Sequence, residues 1–110
     1  MGKLTTHVLD TANGRPGAGM KVELAVHDGA AWRKLKTVTT NRDGRTDEPL
    51  AEGAAFKPGQ YRIKFHVGEY FDSKDFLDVV PVRFNITDAG AHYHVPLLCS
   101  PWSYATYRGS

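Results

Sequence analysis

Along much of this chain an apolar side chain recurs at every second position. Val22, Leu24 and Val26 alternate with Lys21, Glu23 and Ala25. Tyr61, Ile63, Phe65 and Val67 alternate with Arg62, Lys64 and His66, and Val80, Val82, Phe84 and Ile86 follow the same rule. A period of two sends successive side chains to opposite faces of an extended backbone, so these runs predict half-buried strands. Between them lie turn-forming clusters: Asn13-Gly14-Arg15-Pro16-Gly17, Asp28-Gly29, Asp43-Gly44, Lys57-Pro58-Gly59 and Thr87-Asp88-Ala89-Gly90. Short strands at this spacing predict an all-β sandwich of two antiparallel sheets, or a barrel. One short helix is predicted over residues 73–77, opened by Asp72 or Ser73 as its cap. No repeat, linker or low-complexity tract interrupts residues 1–110, which read as a single domain.

Two further segments carry histidine on a strand face. Near the start, Leu4, Thr6 and Val8 share one side, with Thr5, His7 and Leu9 on the other. Within residues 91–98, His92, His94, Pro96 and Leu98 oppose Tyr93, Val95 and Leu97. Each strand thus pairs an apolar-leaning face with a mixed one. A second face that stays partly apolar is usually covered by something. Pro96, which cannot donate to a ladder, fits an edge or interface strand.

Composition narrows the class without choosing a function. A chain of 110 residues can bury roughly 65% of its unfolded surface in one core. With 41% hydrophobic and 24% charged residues, neither disorder nor a membrane span is indicated. Net charge is +2 and the basic residues are dispersed, so no nucleic-acid surface is implied. A lone cysteine, Cys99, cannot close an intramolecular disulfide and reads as interior packing. The opening lacks an apolar secretory segment, which favours the cytoplasm, or the periplasm if a leader has been removed. His92 and His94 form a His-x-His pair, a spacing that metal sites use when a third ligand is near. His7 is the one histidine the pattern offers as that ligand, and no carboxylate is placed to complete the set, so no metal and no cofactor are expected. His27 and His66 read as solvated.

Four segments together resemble one family: Leu4-Thr5-Thr6-His7-Val8-Leu9-Asp10, Asn41-Arg42-Asp43-Gly44-Arg45, Lys57-Pro58-Gly59-Gln60-Tyr61, and the ending His94-Val95-Pro96-Leu97-Leu98 through Tyr107-Arg108-Gly109-Ser110. Their order and content resemble the transthyretin-related 5-hydroxyisourate hydrolases over almost the whole chain. Where relatives carry a Phe-Tyr-Pro segment this chain reads Asp75-Phe76-Leu77-Asp78-Val79-Val80-Pro81, a departure confined to a loop. The resemblance implies a transthyretin-like sandwich, a homotetramer with a central channel, and 5-hydroxyisourate as the small-molecule substrate. It also implies catalytic roles for His7, Arg45, His94 and Ser110, and substrate contacts from His7, Arg45, Tyr107 and Arg108.

The chemistry of these residues is consistent with that assignment. A neutral imidazole can take a proton from water near pH 7, as hydrolysis of a lactam requires. A guanidinium fork suits a planar, urea-like ring better than a lysine would. Gly109 permits a close backbone approach, and a terminal carboxylate could orient an imidazole. Which histidine acts as base stays open, and Ser110 as a nucleophile ranks second to attack by water. Two other classes share the fold: a carrier holding an apolar ligand in the channel, as vertebrate transthyretin does, and a monomeric structural module.

Overall fold

A computed structural model describes residues 2–109. The described residues form nine strands, one α-helix and a 3-10 turn at Gly53–Ala55. The strands are β1 (Lys3–Asp10), β2 (Arg15–Pro16), β3 (Lys21–Asp28), β4 (Ala31–Thr39), β5 (Ala51–Glu52), β6 (Gly59–His66), β7 (Val79–Ile86), β8 (His92–Cys99) and β9 (Tyr104–Thr106). They build two sheets. One runs β2-β1-β8-β9 with β5 also on β1, and the other runs β4-β3-β6-β7. The expected sandwich is therefore present. One pairing departs from the antiparallel expectation: β1 and β8 run parallel, from Lys3↔His92 to Asp10↔Cys99. Adjacent antiparallel strands need only a hairpin, whereas this pair is separated by most of the chain, including the whole second sheet, and so can adopt either sense.

Alternation fixes what the layers bury. Leu4, Val8, Val22, Leu24, Ile63, Phe65 and Leu97 are fully buried between the sheets, and Tyr61 nearly so. In β1 and β8 the inward residues are the apolar set expected from parity, while Thr5, His7 and His94 face outward and are half-buried. The alternation breaks once in β3. A bulge at Leu24/Ala25 turns Ala25 inward as well, and leaves Leu35 on β4 without a register partner.

Three sequence-based expectations change. The helix is α1, Val67–Phe71, not residues 73–77. Val67 and Gly68 are buried against the sandwich, and the chain turns there instead of extending β6; Asp72 closes the helix in the left-handed region at φ 52. Residues beyond it are held by other partners, with Leu77 N–H donating to Pro101 O. Pro96 lies on an internal strand, opposite His7 of β1, which removes the edge alternative for it and leaves the interface one. Its missing N–H is tolerated because the β9 ladder lapses there: pairing covers residues 97–99, then resumes only as a bridge between His94 and Gly109. His66, expected to be solvated, has a side chain only 16% exposed, with its Nε2 at 3.5 Å from a Glu23 carboxylate oxygen.

Candidate active site

The parallel pairing aligns the outward residues of β1 and β8. Thr5 lies directly opposite His94, and His7 is two residues further along β1 on the same face. Thr5 Oγ1 lies 2.8 Å from His94 Nδ1 and 2.9 Å from His92 Nε2. His7 Nε2 lies 3.0 Å from the Asp43 carbonyl. A carbonyl only accepts, so this nitrogen carries the hydrogen and the neutral imidazole keeps its lone pair on Nδ1.

Arg45 reaches the same face from a braced loop. The Asn41 side-chain oxygen accepts from the N–H groups of Asp43 and Arg45, and Asn41 N–H donates to Arg45 O at 2.7 Å. Gly44 anchors this loop to β1 through Val8 N–H to Gly44 O at 2.8 Å. Gly44 has φ 75, and a Cβ there would be driven into Val8 O, so both the turn and the close approach require glycine. The loop thus fixes two things, the backbone of Arg45 and the carbonyl that orients His7.

A cleft of about 400 Å³ is lined by Lys3, Thr5, Arg45, Glu48, His92 and His94, among others. Partial burial holds the His94 imidazole below its ordinary pKa of 6.5, and the positive charge of Arg45 lowers it further, with smaller effects from His7 and His92. His7 is lowered by the same two causes in the same order, partly offset by its bond to Asp43. Both imidazoles are therefore neutral at pH 7 and available to accept protons.

The rest of the expected set is placed differently. Tyr107 is 59% exposed and lines a separate depression with Phe84, Tyr93 and Val95. Arg108 lies with its guanidinium 4.1 Å from the centroid of the Tyr93 ring and donates to His92 O at 3.4 Å. Neither side chain lines the histidine cleft within one chain. Gly109 does approach it: its N–H donates to His94 O at 2.7 Å, and a Cβ there would sit 2.7 Å from His94 Cδ2. Ser110 lies outside the described residues. Cys99 is fully buried, as expected, and its thiol is pushed up to about 12 by burial. Among the described residues no three His, Cys, Asp or Glu side chains converge as a metal cluster.

Sequence pattern alone does not single out Thr5, and it marks His92 only as part of a metal-like pair. The one signal for Thr5 is its shared parity with His7. What makes that signal informative is the parallel register with β8, which no local pattern reveals.

Two partly desolvated imidazoles and a guanidinium thus share the outer face of a two-sheet sandwich, an arrangement whose chemistry suits proton transfer on a polar ligand. The chain belongs to the HIUase/Transthyretin family, whose model matches residues 4–109. It is 55% identical over 116 residues to 5-hydroxyisourate hydrolase 2 of Rhizobium meliloti, covering 99% of this chain and 97% of that one. To the 5-hydroxyisourate hydrolase of Ralstonia nicotianae it is 53% identical, with both chains covered completely. Among solved structures, sea bream transthyretin in complex with thyroxine superposes with a TM-score of 0.89 at 27% identity, covering 97% of this chain and 94% of that one.

Proposed function

We propose that this chain hydrolyses 5-hydroxyisourate, opening the lactam by histidine-assisted attack of water. The observation that carries this is the cleft in which His94 and Arg45 meet, with His7 beside it on the same strand face. One of His7 and His94 takes the proton of the attacking water, while the other and Arg45 hold the ring and the oxyanion that develops on the carbonyl. The electron pair of the water oxygen forms the new bond to carbon, and the ring C–N bond breaks when its nitrogen is protonated. A carrier of apolar ligands has little use for this face, since His92, His94, Lys3 and Arg45 would each lose water to such a ligand. The direct test generates 5-hydroxyisourate from urate with a uricase and follows decay of its absorbance with and without the protein. Decay at the spontaneous rate would end this reading.

The assembly in which we place this site is a homotetramer whose β1 and β8 faces line a central channel. Exposed aromatic residues near β9, with Trp102 62% and Tyr104 46% exposed, support a covered surface there. In that assembly Tyr107 and Arg108 serve as substrate contacts by association, and Ser110 stands at the end of the same tail. We place the protein in the cytoplasm, in keeping with its single buried thiol. No helix among the described residues is long and apolar enough to cross a membrane.

Two measurements examine the electrostatics. Arg45→Lys keeps the charge but loses the fork, so kcat/KM should fall by at least about tenfold, the equivalent of one charge-assisted hydrogen bond, with KM raised. Unchanged kinetics would reduce Arg45 to a loop cation. The rate should be level through neutrality and fall on the acid side with a midpoint below 6.5, because both imidazoles are held below that value. Stability should move in the same direction. The folded state binds fewer protons at these histidines than the unfolded chain, so their contribution is full above pH 6.5 and declines as pH falls below it. An acid limb centred above 6.5 would contradict the site electrostatics.

A further inference from the structure

The Thr5 hydroxyl stands between two imidazoles, 2.8 Å from His94 Nδ1 and 2.9 Å from His92 Nε2. A hydroxyl has one hydrogen to donate. If Thr5 donates to one ring nitrogen, the other must itself be an N–H that donates to Thr5. The tautomers of His92 and His94 are then linked, and only two arrangements satisfy the chain. In the first, His94 Nδ1–H donates to Thr5 and Thr5 donates to His92 Nε2, which leaves a lone pair on His94 Nε2. In the second every hydrogen is shifted, and His94 Nε2 carries the proton.

We propose that Thr5 is a positioning residue that couples His94 to His92 as a proton relay, setting which His94 nitrogen is protonated and moving charge from half-buried His94 to the more exposed His92 on the rim of the same cleft. This rests on the reading of His94 as a group that handles the proton of the attacking water. The relay starts in the first arrangement. Water loses a proton to His94 Nε2 as its oxygen bonds to the carbonyl carbon. The Nδ1 proton of His94 passes to the Thr5 oxygen, the original Thr5 hydrogen passes to His92 Nε2, and His92 releases its Nδ1 proton to solvent. The chain is now in the second arrangement, with His94 Nε2–H ready to protonate the leaving nitrogen. When it does, the protons return along the same path and His92 regains one from solvent. Over the cycle one water proton has moved to the ring nitrogen, and no net charge remains on the enzyme.

The surroundings explain why such a path helps. The groups facing the pair are Lys3, Thr5 and His7 from β1, Arg45, Asp47 and Glu48 from the β4–β5 connection, and Arg108, which donates to His92 O. Burial and Arg45 both oppose a cation on His94, whereas the His92 ring is open to solvent. Gly109 runs close by: its N–H donates to His94 O, and a Cβ there would lie 2.7 Å from His94 Cδ2.

The test combines nuclear magnetic resonance with kinetics on the full chain. In protein labelled with ¹⁵N histidine, His92 and His94 should titrate together, each ring's tautomer balance responding to the other. Thr5→Val keeps the branched shape but removes the hydroxyl. It should make the two titrations independent and lower kcat by about 10- to 100-fold, with little change in KM and an altered acid limb. Thr5→Ser should restore both the coupling and most of the turnover. Independent titration in the unaltered protein would overturn the relay whatever the activity. Coupled titration with normal turnover in Thr5→Val would overturn its catalytic use. A native protein that is inactive on 5-hydroxyisourate would instead end the functional reading, and the titrations would still report whether the chain of hydrogen bonds exists.

Discussion

Replacing His94 or His7 with Asn should lower turnover of 5-hydroxyisourate by about 100-fold or more, the scale of a lost general acid or base, while the melting temperature stays close to that of the native protein. The two halves of this expectation have separate origins. Both side chains sit on the outward face of the β1–β8 pair, and their inward neighbours Val8, Val95 and Leu97 do the packing. Removing an outward imidazole opens no cavity, in contrast with Leu97→Ala in the core, which should cost about 2–5 kcal/mol. Activity depends on the outward face. Burial and Arg45 keep these imidazoles neutral, and an amide cannot accept a proton in their place. The measurement is steady-state kinetics alongside thermal unfolding of each variant. Near-native turnover in either would make that histidine structural, and would leave the remaining one as the group that activates water.

The sandwich is legible in the sequence because it is written in local alternation. The period of two in β3, β6 and β7 reports burial directly, and parity alone separates Leu4 and Val8 from His7 in β1, and Tyr93 from His94 in β8. Arg45 is marked only by the resemblance of its Asp43-Gly44-Arg45 triplet, because an Asp-Gly turn by itself predicts no more than a solvated loop arginine. What local pattern cannot carry is which strands become neighbours. The parallel pairing of β1 with β8 joins residues 89 positions apart, and it alone sets Thr5 between His92 and His94. The helix falls outside its expected span for a related reason. Residues 73–77 have a good capping sequence, but tertiary burial of Val67 and Gly68 determines where the chain turns. His66 reads as solvated in the sequence because its neighbour Glu23 lies on another strand, and a charge partner across a sheet leaves no trace in spacing.

The C-terminal segment should be intolerant of change, although little of it is buried. A variant ending at Thr106 loses the N–H of Gly109 that donates to His94 O, and the Arg108 guanidinium that covers Tyr93 and donates to His92 O. Both contacts brace the strand that carries the two imidazoles, so activity should fall by about 100-fold or more, the cost of misplacing a reacting group by a small distance. Stability should fall far less, because Tyr107 and Arg108 are exposed and the core cluster contains no residue after Cys99. Gly109→Ala separates bracing from simple loss of chain. Its added methyl would meet the His94 ring at 2.7 Å from Cδ2, so it should lower kcat while leaving the length and charge of the tail intact. A tag fused after Ser110 should also impair turnover, whereas one ahead of Met1 should be tolerated. Turnover and melting temperature measured across these four proteins and the native chain decide the matter. If the Thr106 variant and the Gly109→Ala protein both keep full activity, the tail is a passive extension of β9, and His94 owes its position to the parallel pairing with β1 alone.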